Sequence, residues 1–284
     1  MDISLIISTY GRSNEVDALL ESISRQSYDL QLIEVIVVDQ NDQIDLVPIL
    51  GKYENRLPHL LHVKTPEKGL AKSKNKGLEL AHGRIVTFPD DDCMFYEDTV
   101  YKALTFLKER PEIDVVYGRI FDRNTNRNIM REWFVGDKKL NPFNFHLNYS
   151  AITCFSKRKD LLFDTHFGVG AFYGSGEELD YIVSALKKNL NVIYTSGIEV
   201  WHPELNVNTM TADKVYRYAC GYAAVLRKHV STPLLFLYLS STAMQLFQLG
   251  KAILQKDRKA VERRRSAISG RIDGFFRYTK PTQH

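Results

Sequence analysis

Three carboxylates stand in a row at Asp90-Asp91-Asp92, directly after the apolar run Ile85-Val86-Thr87-Phe88. A short β-rich run bounded by Gly83 and Pro89 reads as a buried strand, so the acids sit at its carboxyl end. In open α/β sheets that edge is where ligands bind. Adjacent carboxylates repel one another unless a cation lies among them. Hard divalent cations such as Mg²⁺ or Mn²⁺ take oxygen ligands, commonly one or two carboxylates plus substrate phosphates. The first expectation is therefore a metal site that holds a phosphorylated substrate. The plainer alternative is a solvated acidic loop or a helix N-terminus, where Asp is also favoured.

Two further groups of residues carry chemistry. Gly168 to Gly176 is glycine-rich and leads into Glu177-Glu178-Leu179-Asp180, the start of a helix reaching about Lys188. The helix dipole favours acids in a first turn, but it does not account for a flexible loop that delivers them. His202, after Val200-Trp201, can ligate Mn²⁺ through imidazole; its plainer role is packing beside Trp201 and Pro203.

The elements that must position these groups alternate. Ile3 to Ser8 reads as a central strand, broken at Thr9-Tyr10-Gly11-Arg12. A helix follows with Val16, Leu19, Leu20 and Ile23 at helical spacing. Strands are expected at Ile33 to Asp39, Leu60 to Lys64, Ile85 to Phe88, Val115 to Tyr117, Ile152 to Phe155 and Asn191 to Thr195. Helices are expected over about 46–53, 69–81 and 98–108. This alternation argues for βαβ units and a mostly parallel α/β sheet whose polar loops collect at one edge. No G-x-G-x-x-G follows the first strand and no G-x-x-x-x-G-K-[ST] occurs, which speaks against a dinucleotide fold of the usual kind and against a P-loop NTPase. Between Phe121 and Ser150 the pattern loosens; Trp133 could stack on a sugar there, although packing is the commoner role for such a residue.

The chain has 284 residues, 44% hydrophobic and 25% charged, enough for a sizeable core. Three widely spaced cysteines suggest a reducing compartment. The first residues show no basic n-region and no cleavage pattern, so no signal peptide is expected. The net charge of +4 is uneven: Val230 to His284 holds ten Lys/Arg against three Asp/Glu. Val230 to Gly250 carries no charge, with the apolar run Pro233 to Leu239, interrupted by Ser240, Ser241, Thr242, Gln245 and Gln248. This stretch has three readings: a buried helix, an interfacial helix and a membrane span. The basic Arg258, Lys259 and Arg263-Arg264-Arg265 favour the interfacial one, on an anionic lipid surface. A nucleic-acid partner is the weak rival, since no RNA or DNA module is present.

Taken in order, these motifs resemble those of the inverting glycosyltransferases with the GT-A fold, family 2. The matching stretches are Ser8-Thr9-Tyr10-Gly11-Arg12, Val37-Val38-Asp39, Gly69 to Asn75, Phe88-Pro89-Asp90-Asp91-Asp92 (like the family's D-x-D) and Gly176 to Asp180 (like its G-E-D-x-D). The resemblance covers about residues 1–205. Lys74 stands where the family often has Arg, and Glu178 where it usually has Asp. The resemblance implies a GT-A catalytic domain over 1–205, with a nucleotide-sugar half (1–120) and an acceptor half (121–205), and a helical extension over 206–284. It implies that Asp39 receives the nucleobase and that Thr9, Tyr10 and Arg12 line the nucleotide site. Lys68 and Lys74 would neighbour phosphate or base, and Asp90 and Asp91 would face the nucleotide sugar. The metal, Mn²⁺ or Mg²⁺, would be bracketed by Asp90 and Asp92 with His202, and Glu178 would be the base, Glu177 being the alternative.

The expected reaction is transfer from a nucleotide sugar, with a UDP-sugar as first choice, to a glycan or lipid-linked glycan in bacterial surface polysaccharide synthesis. The expected location is cytoplasmic, peripheral on the inner face of the membrane, with an oligomer possible. The alternatives are a nucleotidyltransferase and a catalytically inactive nucleotide- or glycan-binding homologue.

Overall fold

The computed structural model describes residues 1–204 and 209–279. The boundary expected at 205/206 lies outside the described residues. By packing, the chain forms two units. The first contains Met1–Lys68, Lys72–Leu162 and Ser184–Glu204; the second contains Gly69–Ala71, Phe163–Val183 and the residues from 205 onward.

The first unit is built on one mixed sheet. Strands β1 (Ile3–Thr9) and β2 (Ile33–Asp39) are buried at every position. Near-continuous Ile and Val runs of this kind belong to parallel strands covered on both faces. β3 (Leu60–Lys64) is only half-buried and mixed in polarity, as an edge strand is. β4 (Ile85–Thr87) lies on the other side of β1, and β1 to β4 pair in parallel. Beyond β4 come β9 (Cys154–Ser156) and β6 (Val115–Asp122), joined by antiparallel pairing, then β10 (Val192–Trp201), parallel to β6. The order is β3-β2-β1-β4-β9-β6-β10-β5, where β5 (Met94–Phe95) pairs antiparallel with the end of β10. Two short strands, β7 (Arg127–Asn128) and β8 (Asp137–Lys139), pair with β6 and β10.

Helices between strands follow the apolar spacing. α1 (Asn14–Ser24) buries Val16, Leu19, Leu20 and Ile23. α4 (Thr99–Glu109) buries Val100, Ala103, Leu104 and Leu107. α3 (Leu70–Leu80) matches its expected span, while α2 (Val47–Leu50) is a single turn, opened by Pro48 and closed at Gly51, shorter than the 46–53 expected. β10 is longer than the strand expected at 191–195. A register shift against β6 between Tyr194 and Glu199 lets it continue to Trp201.

Register fixes the functional edge. Thr9 is level with Asp39, Asp39 with Lys64, and Ser8 bridges to Asp90. The carboxyl ends of β1, β2 and β3 and the residues just after β4 thus finish side by side.

The second unit holds the first turns of α5 (Glu177–Lys187) together with α6 (Ala212–Lys228), α7 (Thr232–Leu254) and α8 (Arg258–Phe276). α6 and α8 meet backbone to backbone. A Cβ on Gly274 would stand 2.1 Å from the Cys220 carbonyl oxygen, so any larger residue there forces the helices apart. No described helix is long and apolar enough to cross a membrane, which removes the spanning reading of 230–250.

Candidate active site

The acidic turn after β4 is held from both sides. Its continuation, β5, hydrogen-bonds with the last residues of β10, pairing Trp201 with Met94. That pairing sets His202 beside the acids. One ligand atom each from Asp90, Asp92 and His202 falls within 4.8 Å of the others. His202 Nδ1 lies 2.7 Å from the Pro203 carbonyl oxygen, to which only a protonated nitrogen can donate. With Nδ1 so engaged, Nε2 faces Asp92 Oδ1 at 3.2 Å, donating to it when the ring is protonated and open to a cation when it is not. Two carboxylates and one imidazole suit a divalent cation, and the nitrogen suits Mn²⁺ better than Mg²⁺.

Arg12 closes the turn. Its guanidinium reaches Asp91 with one nitrogen and Asp92 Oδ2 with the other at 2.8 Å. Burial raises the Asp91 carboxyl above its usual value, opposed by the Thr9 hydroxyl and by Arg12. Burial also acts on Asp92, but the hydrogen bond and charge of His202, with Arg12, hold that carboxyl below its usual value. Asp91 is buried and paired, whereas Asp90 and Asp92 are half-exposed. Thr9 is buried beneath this turn and Tyr10 is exposed.

At the end of β2, Asp39 is fully buried and its carboxylate is already surrounded. Oδ1 accepts from the Asn41 backbone and side-chain nitrogens, each at 2.8 Å. Oδ2 lies 3.0 Å from both His62 Nε2 and Lys64 Nζ. Burial acts to raise this carboxyl, yet these donors together pull it below the usual range. The sequence reading missed His62 and Lys64. Their spacing of two on a half-buried strand, which puts both on one face, was the available signal. Lys68 donates to the Gln40 carbonyl and to Asp42 Oδ1 at 2.7 Å, and its ammonium lies 4.8 Å from the Tyr10 ring centre. Lys74 is 1% exposed, on α3. Trp133 is buried, stacks on Tyr194 and donates its indole N–H to Ile129, so it packs and is closed to a sugar.

Glu178 belongs to the second unit. Gly176 takes φ +101°, where a side chain is strained, and a Cβ there would stand 3.0 Å from Val225 and 3.1 Å from the Gly221 carbonyl oxygen of α6. This turn starts α5. Of the acids in its first turn, Glu177 and Asp180 are buried and Glu178 is half-exposed. Asp180 Oδ1 lies 2.7 Å from both Lys228 Nζ and His229 Nε2, and Lys228 also reaches Asp164 Oδ2 at 2.7 Å. Burial opposes the Lys228 charge, but the two carboxylates raise its pKa overall.

This cluster predicts a stability effect. Lys228→Met would remove the one ammonium shared by two largely buried carboxylates and leave them only His166 and His229, at a cost of about 3 kcal/mol near neutral pH. Although burial opposes it, Lys228 and His166 hold the Asp164 carboxyl below its ordinary value. Its contribution is therefore present above the unfolded-state pKa and lost as pH falls through the folded one. Urea denaturation should show the gap between wild type and Lys228→Met at pH 7 and its narrowing below about pH 4. A gap independent of pH would exclude the carboxylate pairing as its source.

Comparison with known proteins agrees with this geometry. The family model described as glycosyl transferase family 2 matches residues 4–173. The poly(ribitol-phosphate) beta-N-acetylglucosaminyltransferase TarS of Staphylococcus aureus is 31% identical over 110 residues, which is 38% of this chain and 19% of that protein. The minor teichoic acid biosynthesis protein GgaB of Bacillus subtilis is 26% identical over 201 residues, 68% of this chain and 22% of that protein. This chain thus spans about a fifth of the length of these relatives. Among solved structures, S. aureus TarS 1-349 in complex with UDP-GlcNAc superposes with a TM-score of 0.62 at 16% identity, covering 96% of this chain and 91% of that one. Mannosyltransferase PcManGT from Pyrobaculum calidifontis, in complex with GDP-Man and Mn²⁺, gives 0.67 at 16% identity, covering 98% and 88%. These likenesses establish the fold.

Proposed function

Because the chain belongs to glycosyl transferase family 2 and has the GT-A fold, we propose that it transfers a sugar from a nucleotide sugar to a glycan or lipid-linked glycan acceptor, with inversion at the anomeric carbon. The observation that carries the reading is the Asp90–Asp92–His202 group at the carboxyl edge of the parallel strands. A UDP-sugar is the favoured donor, in keeping with the UDP-GlcNAc complex of the fold relative and with the teichoic acid relatives.

Each residue then has a task. Asp90, Asp92 and His202 would hold a divalent cation, Mn²⁺ in preference to Mg²⁺, which as a Lewis acid stabilises charge on a departing diphosphate. Arg12 keeps Asp91 and Asp92 in place. Thr9 to Arg12 line the nucleotide, and Asp39 is the contact of the nucleobase, which would take the place of His62 or Lys64 at its carboxylate. Lys68 and Lys74 remain proposed neighbours of phosphate or base. The acceptor hydroxyl loses its proton to a carboxylate as it attacks. Glu178 is the choice over Glu177, because Glu177 is buried and Glu178 is half-exposed. We further propose that the chain acts on the inner face of the cell membrane and meets it through its C-terminal helices.

The test is calorimetric titration of UDP, GDP and dTDP with Mn²⁺ and then with EDTA. Tight binding of UDP that EDTA removes is the expected result. Absence of binding by all three would bring forward the inactive-homologue reading.

A further inference from the structure

α7 is turned inside out. Over its 23 residues only Leu234, Tyr238 and Ala252 are buried. Its inward side carries polar groups: Ser241 meets the Tyr222 hydroxyl at 3.2 Å, and Gln245 Oε1 accepts from Arg264 at 2.9 Å. Its outward side carries an apolar stripe, with Phe236 at 71%, Phe247 at 68% and Leu254 at 85% exposure, and Leu239, Leu246 and Ile253 more than half exposed, flanked by the exposed Ser240 and Lys251. A helix on a water-soluble surface normally shows the opposite arrangement. An apolar stripe of this size marks a face that meets something other than water.

A second observation says what. Where α7 ends and α8 begins there is an open cavity of about 610 Å³ lined by Ile253, Val261, Lys256, Arg258 and Arg265, with Glu262 the one acid in its lining. The turn that forms it keeps Lys256 at φ +55°, a position where Gly is the usual residue. Asp257, between Lys256 and Arg258 in the chain and outside the lining, caps α8, its Oδ1 accepting from the Ala260 N–H at 3.0 Å. Three cations and two apolar side chains lining one cavity, at the end of an apolar stripe, match a negatively charged headgroup on acyl chains. A second copy of the chain would bring three cations against one lining acid, a poorer match to this site than an anion.

We infer that the outward face of α7 lies in the surface of an anionic bilayer and that the α7–α8 cavity takes a phosphate-bearing lipid headgroup. This rests on the membrane contact proposed above and gives it a lipid class. The surface is held to the bilayer by apolar insertion plus charge, the arrangement of interfacial helices.

Sedimentation with vesicles tests it, using phosphatidylcholine alone and phosphatidylcholine with about 30% phosphatidylglycerol. The full chain should sediment with the anionic vesicles and not with the neutral ones, and added salt should weaken the association. Phe236→Ser with Phe247→Ser should abolish it, with the melting temperature unchanged because both side chains are exposed. Arg258→Glu with Arg265→Glu should weaken partitioning by roughly twenty-fold or more, since each cation near such a surface contributes about fivefold. Equal binding to both vesicle types would overturn the headgroup site and leave the membrane contact standing. Binding to neither would overturn both. A dimer by light scattering that the Phe variants dissociate, without vesicle binding, would assign the face to a second copy instead.

Discussion

Asp92→Ala is expected to abolish metal-dependent binding of UDP while the sheet stays folded. Asp92 is the residue on which the acidic turn converges: Oδ1 faces His202 Nε2 at 3.2 Å and Oδ2 meets Arg12 at 2.8 Å. Loss of a residue behind a metal ligand typically costs 10- to 100-fold in affinity, so loss of a ligand itself should cost more than about 100-fold. Manganese titration followed by paramagnetic resonance, paired with calorimetry of UDP, measures both halves. Asp91→Asn is the contrast. Asp91 is buried and paired with Arg12, so its loss should lower the unfolding midpoint while Mn²⁺ binding is kept. Wild-type Mn²⁺ affinity in Asp92→Ala would remove Asp90, Asp92 and His202 as the metal site, whatever happens to turnover.

The centre of the parallel half of the sheet was legible because β1 and β2 are buried on both faces. Ile3–Thr9 and Ile33–Asp39 are near-continuous apolar runs broken only at Ser4 and Glu34 before their polar ends, and the acid that ends the second marks both an element and its functional end. The pieces that complete the site were not legible. β5 is two residues long, and it exists because β10 passes alongside it. Pairing across more than a hundred residues leaves no local periodicity to read. The partners of Asp39 were missed for a related reason: His62 and Lys64 sit on a strand whose mixed polarity reads as ordinary surface until β2 is placed beside it. Trp133 could be weighed as packing or sugar-stacking, and only the plane of Tyr194 against it decides for packing. In α7 the composition pointed to an apolar helix. Which side faced outward depended on Tyr222 and Arg264 drawing Ser241 and Gln245 inward, a tertiary fact.

Glu178→Gln should lower kcat by about 10³- to 10⁴-fold, toward the upper end of what a positioned base contributes, with the affinity for UDP unchanged. The amide keeps the size and hydrogen-bonding reach of the carboxylate but cannot take the acceptor proton. The surroundings separate this residue from its neighbours. Asp180 is tied to Lys228 and His229, so its substitution would loosen the start of α5 and lower stability. Glu177 is buried, and a Cβ at Gly168 would lie 3.0 Å from its Oε2, so Glu177→Gln should act mainly on the packing of that glycine loop. The useful comparison is therefore kcat against unfolding midpoint across the three acids. A large fall in kcat at an unchanged midpoint belongs to the base. If Glu177→Gln shows that signature and Glu178→Gln turns over at the wild-type rate, the proton goes to Glu177. If neither does, the base lies outside this turn, while donor binding at Asp90, Asp92 and His202 would be untouched by that outcome.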